Sequence, residues 1–181
     1  MSNPSMSPTY AEALTSFDQG YIAFLAAFAQ APDEALAYVP PGDEYALGVL
    51  PLHLQDPLRR YTALLRQMLR ANFGEVDLSA DPEREAREAR WHAELVAQRP
   101  TGADRPGMLA GLAATHQEAR AALVALDEAT GARTAPVIYS AGSAPYPTSA
   151  RNILGWLTDH YQEHITQTQA MLAEWRAQMR V

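Results

Sequence analysis

Two histidines stand four residues apart near the end of this chain, in Asp159-His160-Tyr161-Gln162-Glu163-His164. On an α-helix, residues i and i+4 lie one above the other on the same face, so both imidazoles can reach one point in space. Apolar residues recur around them at helical spacing: Ile153, Leu157, Met171 and Trp175. His160, His164 and Gln167 fall in the same register, at positions where a bundle helix normally places leucine. Burying an imidazole without a partner is costly. A metal ion is the partner this pattern points to, and a pair of ordinary helix-face histidines is the alternative.

The chain has three further histidines, His53, His92 and His116. Two imidazoles on one helix and a third on a facing helix would make a three-ligand set that leaves positions open for water and substrate. Neutral imidazole suits Zn, Ni, Fe and Cu. A cation held this way can make a bound water or thiol acidic enough to react near neutral pH. His-Glu-x-x-His is absent, which removes the zincin motif. Glu-x-x-His is absent too, which disfavours a ferritin-like di-iron site. No Gly-rich phosphate loop occurs, and Ser140 and Ser143 lie in a loop without a triad signature. With no cysteine in the chain, any metal ligands are N and O donors, and any reacting thiol comes from a cosubstrate.

The elements that must position these residues read as helices. Ser7-Pro8 is a helix start, with Ser7 as N-cap. Tyr10, Leu14, Phe17, Tyr21, Phe24 and Phe28 then form an apolar seam, with Gly20 a weakness inside it. After Pro40-Pro41-Gly42, Asp43 is expected to cap a second helix, with Leu47, Leu50, Leu54, Leu58, Tyr61, Leu65 and Met68 on its seam. Pro51 and Pro57 are expected to kink or interrupt it. Glu75 to Asp81 reads as a polar linker. A charged helix capped by Asp81 follows, with Trp91, Leu95 and Val96 as its apolar cluster and His92 on its surface. From Asp104-Arg105-Pro106 another helix carries Leu109, Leu112, His116, Leu123 and Leu126. Residues 132–147 read as a loop, extended at Pro136 to Tyr139, that crosses one end of the bundle and borders a pocket there. Thr148 or Ser149 caps the last helix, which runs to about Met179. Strand alternation and internal repeats are not evident. The expectation is one all-α domain over residues 1–181: a helix bundle with the charged helix at its periphery.

Supporting roles follow from the same register. Asp56 is one turn from His53 and could orient its second ring nitrogen, or be a solvated carboxylate. Gln167, one turn past His164, could bond a metal-bound water or satisfy a polar core. His116, on a core seam, reads as a satisfied buried histidine, with a role beside the site as the alternative.

Composition bounds the function classes. The net charge of −7 argues against nucleic acid as the main partner. All 14 basic residues are arginine. No apolar run reaches the length of a membrane span, and the N-terminus lacks the basic start and apolar core of a secretory signal. The expected setting is cytoplasmic.

The last helix resembles the closing motif of the DinB/YfiT-like family: a His, a second His four residues on and a Gln three later, here His160, His164 and Gln167. His53-Leu54-Gln55-Asp56 is similar to the His-Leu-x-Asp of that family's second helix, and Tyr45 stands where the family often has Trp. Glu163 and Thr166 depart from the usual motif, and the segment from Glu75 to Arg99 is an elaboration. The resemblance implies a four-helix bundle with up-down-down-up connectivity. It implies a divalent metal, Zn or Ni above Fe or Mn, on His53, His160 and His164. It further implies a homodimer and a small-molecule substrate. The activities it suggests are S-transfer or isomerisation with a low-molecular-weight thiol, or metal-dependent hydrolysis. Other members of the family have no assigned activity, so a non-catalytic metal-binding or stress-associated bundle is the rival.

Overall fold

A computed structural model describes residues 8–180. Four long helices make up its frame: α1 (Tyr10–Phe28), α2 (Leu50–Arg70), α4 (Arg105–Val124) and α6 (Ala150–Gln178). A shorter helix, α3 (Arg84–Ala97), and a five-residue helix, α5 (Glu128–Ala132), are added to them. α1 lies chiefly along α6, and α2 lies along α4. Further contacts join α2 to α6 and α1 to α4.

The apolar seams account for this packing. Phe17, Phe24 and Phe28 of α1 are fully buried, as are Leu50, Leu65 and Met68 of α2, Leu112 of α4 and Leu154 of α6. Each such side chain contributes about 1.5–3 kcal/mol of transfer free energy. Gly20 is a close-approach position: a Cβ there would sit 3.2 Å from Cβ of Tyr161, so α1 and α6 nearly touch.

Helix starts differ in part from the expectation. Ser7 lies outside the described residues. α1 is capped by Thr9, whose side chain takes the Glu12 N–H while Glu12 returns a bond to the Thr9 N–H, a reciprocal capping box. Asp43 does not cap α2, which begins through a 3-10 turn at Leu47–Val49. Nor do the two prolines divide α2. Pro51 stands in its first turn, where an N–H has no intrahelical partner to lose. Pro57 lies inside, and its missing N–H leaves the His53 carbonyl without its i+4 donor. Leu54 and Leu58, both buried, hold the helix together across that gap. α6 begins where expected, with Ser149 and Asn152 forming a second capping box.

The all-α expectation needs correction. A small three-stranded sheet stands beside the helices in the order β1-β2-β3. β1 (Val76–Asp77) pairs parallel with β2 (Thr134–Ile138), and β2 pairs antiparallel with β3 (Tyr146–Ser149). The stretch read as a loop is thus a hairpin, and the linker after α2 adds a two-residue edge. Ala135 and Val137 are buried while Thr134 and Pro136 face outward, the alternation of a half-buried strand. Two prolines hid it. Pro136 and Pro147 are directly opposed in register, where a non-hydrogen-bonded pair requires no N–H of either toward the other. The chain is therefore mostly helical with a minor sheet. No helix among the described residues is long and apolar enough to cross a membrane.

Candidate metal centre

α2 and α6 bring three of the five histidines together. One ring nitrogen from each of His53, His160 and His164 lies within 4.8 Å of the others. The His160 and His164 rings meet edge to face at 4.5 Å between centroids. The His53 ring lies 5.2 Å from His160 and 4.8 Å from His164. A tetrahedral ion at about 2.0–2.1 Å from each nitrogen would set the nitrogens roughly 3.3 Å apart. Ring nitrogens that all lie within 4.8 Å of one another are compatible with such an arrangement after a small adjustment at most.

Hydrogen bonding distinguishes these rings from ordinary core histidines. His164 is buried, and its Nδ1 lies 2.7 Å from Oε1 of Gln167. Nδ1 of His160 lies 3.7 Å from a Glu163 carboxylate oxygen. The Nε2 atoms of His160 and His164 are both buried and have no hydrogen-bond partner among the protein's own groups. An unpaired buried donor or acceptor typically costs about 1–3 kcal/mol, so two on adjacent turns, facing one small space, call for an electrophile between them.

The rings are also held neutral. Burial, then the neighbouring His164 and His160, then Arg60, push His53 down to about 3. Burial and His164 push His160 down to about 4, against a smaller opposing pull from Glu163. Burial lowers His164 as well, with the Gln167 bond opposing it. Near neutral pH all three are therefore neutral imidazoles, each with one lone pair free, the state a metal ligand requires. The donor set, three neutral imidazoles without thiolate or carboxylate, fits a borderline first-row ion and could hold one.

The residues expected in support take different places. Gln167 is bonded to His164 and extends to Asp43, both of whose carboxylate oxygens accept from Gln167 Nε2 at 3.0 Å. Asp56 lies beside a different partner from the one expected. Its carboxylate pairs with Arg60 at 2.9 Å, and Arg60 also reaches Glu88 of α3 at 3.2 Å. An i,i+4 guanidinium offers a full charge where a neutral imidazole offers one N–H. His116 stands apart from the cluster, with one nitrogen on the Tyr161 hydroxyl and the other near Asp18.

Two residues beside the cluster were given no part in it by the sequence reading. The Tyr45 ring packs 4.9 Å from the His53 ring, and its hydroxyl lies 2.8 Å from Nδ1 of His92. His92, half-exposed on α3, is thereby tied to the loop that precedes α2. Leu95 reinforces the tie by packing on Ala46 and Val49. Only the family position of Tyr45 marked it in the sequence.

A cleft of about 510 Å³ opens between α2, α3 and the β1 edge, within the usual size range of small-molecule sites. Tyr61, Leu64, Leu78, Trp91 and Tyr139 supply apolar wall, and Asp56 and Arg60 line it one and two turns beyond His53. The histidines themselves are not part of its wall. On the α6 side, Trp156 packs on Tyr61 at 5.4 Å, one turn before His160. The hairpin contributes Tyr139 to the cleft, while Tyr146 packs on Trp156 at 6.3 Å.

No curated protein and no solved structure matches the chain. A family model does, over residues 16–168, which is most of its length and includes all three clustered histidines. The chain belongs to the DinB superfamily.

Proposed function

We propose that this protein is a divalent-metal-dependent enzyme whose ion is held by His53, His160 and His164. The observation that supports the reading most directly is the pair of buried, partnerless Nε2 atoms on His160 and His164, beside a third neutral imidazole. The ion, Zn or Ni above Fe or Mn, supplies Lewis acidity that makes a bound thiol or water nucleophilic near neutral pH. The chain's residues keep the ligands unprotonated and provide the neighbouring cleft. A small electrophile lies there against Tyr61, Trp91 and Tyr139, with its reacting end toward Arg60 and the histidines. S-transfer with a low-molecular-weight thiol is the leading reaction class and hydrolysis the second. The reading takes the four long helices to run up-down-down-up, and the protein to be a cytoplasmic homodimer that uses neither nucleic acid nor membrane as partner.

The rival is a non-catalytic metal-binding or stress-associated bundle. It is favoured by the cleft wall, which stops at Asp56 and Arg60 without including a histidine. Metal analysis of tag-free protein tests both readings. Close to one equivalent is expected, abolished in His160→Ala. Less than about a tenth of an equivalent, unchanged by that substitution, rejects a metal site of this kind. One equivalent without thiol transfer or hydrolysis across a panel of small electrophiles rejects the enzyme and leaves the binding protein.

A further inference from the structure

Residues 40–43 form a tight turn. The Asp43 N–H donates to the Pro40 carbonyl at 3.1 Å, and Gly42 has φ of +86°. Proline second and a left-handed glycine third are the signature of a type II turn, where a residue with a Cβ would be strained. The turn presents Asp43 to α6, whose Gln167 donates from Nε2 to both carboxylate oxygens at 3.0 Å. Oδ1 of Asp43 also accepts the Glu44 N–H at 3.0 Å, which holds the carboxylate in place.

Donor and acceptor capacities then fix a chain of orientations. An ionised carboxylate only accepts, so the amide of Gln167 must turn its NH₂ to Asp43 and its oxygen to His164. That oxygen also only accepts, so Nδ1 of His164, 2.7 Å away, carries the ring proton. The lone pair is left on Nε2, the buried atom without a partner. Two residues beyond Asp43, Tyr45 lays its ring against His53. One short segment thus reaches two of the three clustered histidines.

We infer that Asp43 is a positioning residue: through the amide of Gln167 it fixes the tautomer and the ring orientation of His164, so that Nε2 is presented as a ligand. The inference rests on the metal-site reading above. Its test, however, includes a measurement made without metal. Histidine nitrogen–proton correlation spectra of the metal-free protein report the tautomer directly, and Zn²⁺ titration against a competing chelator reports affinity. In the wild type, His164 is expected as a single Nδ1–H tautomer. Asp43→Ala is expected to give a tautomer mixture and to weaken Zn²⁺ binding by about 10–100-fold, the usual effect of removing a residue that orients a ligand. Gln167→Ala should do the same, and the double variant should lose no more than either single one, because both break one chain. The reversed pair, Asp43→Asn with Gln167→Glu, restores donor facing acceptor and should return affinity to within about threefold of wild type. It also serves if Asp43→Ala fails to fold. A single tautomer in Asp43→Ala with Zn²⁺ affinity within about twofold of wild type overturns the inference, as do additive losses in the double variant. Absence of Zn²⁺ binding in the wild type would reject the metal reading, and the tautomer alone would then decide the role of Asp43.

Discussion

The protein buries histidine in two ways. His116 is a finished piece of core. It is only 2% exposed, and its ring is stacked between Phe17 at 4.4 Å and Tyr21 at 4.1 Å. One of its nitrogens meets the Tyr161 hydroxyl at 3.2 Å and the other lies 3.3 Å from Asp18, which Arg120 holds in turn. The cluster between α2 and α6 is less completely buried, with His164 buried and His53 and His160 half-buried, and it is incomplete, with two buried ring nitrogens that have no protein partner. Burial alone therefore does not mark a site. An unmet hydrogen-bonding requirement, repeated on adjacent turns and kept neutral, does.

Substitution should separate the two regions most sharply. His53→Ala or His160→Ala is expected to abolish metal binding while costing the metal-free fold little, since neither ring is fully buried. His116→Ala should do the reverse. It opens a gap between two aromatic rings and strands Tyr161 and Asp18, at about 2–4 kcal/mol, while leaving metal stoichiometry intact. Urea unfolding in chelator, with metal analysis of each variant, reads both quantities. A loss of metal in His116→Ala at a temperature where it remains folded would break the distinction.

The pH dependence of the metal-free protein should follow the cluster. In the unfolded chain a histidine protonates near 6.5, whereas His53 and His160 in the fold resist protonation until about 3 and 4. Between these limits the unfolded state binds protons that the folded state refuses. Their contribution to stability is therefore complete above about pH 6.5 and is lost progressively as pH falls toward about 4 for His160 and about 3 for His53. His116 shifts in the same direction, burial opposed by Asp18. Unfolding at pH 5 should accordingly take up protons, and a variant with His53 and His160 both replaced by leucine should take up about two fewer. An unchanged proton uptake in that variant would show that these rings titrate normally in the fold. Bound metal should defer the acid loss, because it stabilises only the state with neutral ligands.

Periodicity made much of this legible. The seams of α1, α2, α4 and α6 lie in the sequence at helical spacing, and His160 and His164 share a face because an i,i+4 pair must. The choice of His53 as third ligand came from the family resemblance, since helical register says nothing about which helix faces which. Asp43 illustrates that limit. Its position after Pro-Pro-Gly suggested a helix cap, but its carboxylate is used by Gln167, 124 residues away in the sequence. Tyr45 and His92 likewise meet only after α3 folds back over the start of α2. The sheet was obscured for a local reason: two opposed prolines and a two-residue edge give too little alternation to register as strands.

Asp56 yields the smallest effect and the most discriminating control. It lies one turn from His53, the spacing at which a carboxylate can orient a ligand, yet its oxygen is 2.9 Å from Nε of Arg60. That pair is partly exposed, with Arg60 at 51% and Asp56 at 28% of side-chain surface, so it should contribute no more than about 1 kcal/mol. Asp56→Asn is therefore expected to leave Zn²⁺ affinity within about twofold of wild type. Asp43→Ala, at a residue that does not touch a histidine, should cost about ten times that or more. Proximity in sequence favours Asp56, and hydrogen-bond connectivity favours Asp43. A loss in Asp56→Asn comparable to that in Asp43→Ala would mean that Arg60 gives up its carboxylate to His53 when the ion binds. The chain of orientation through Gln167 would then be one of two supports for the centre.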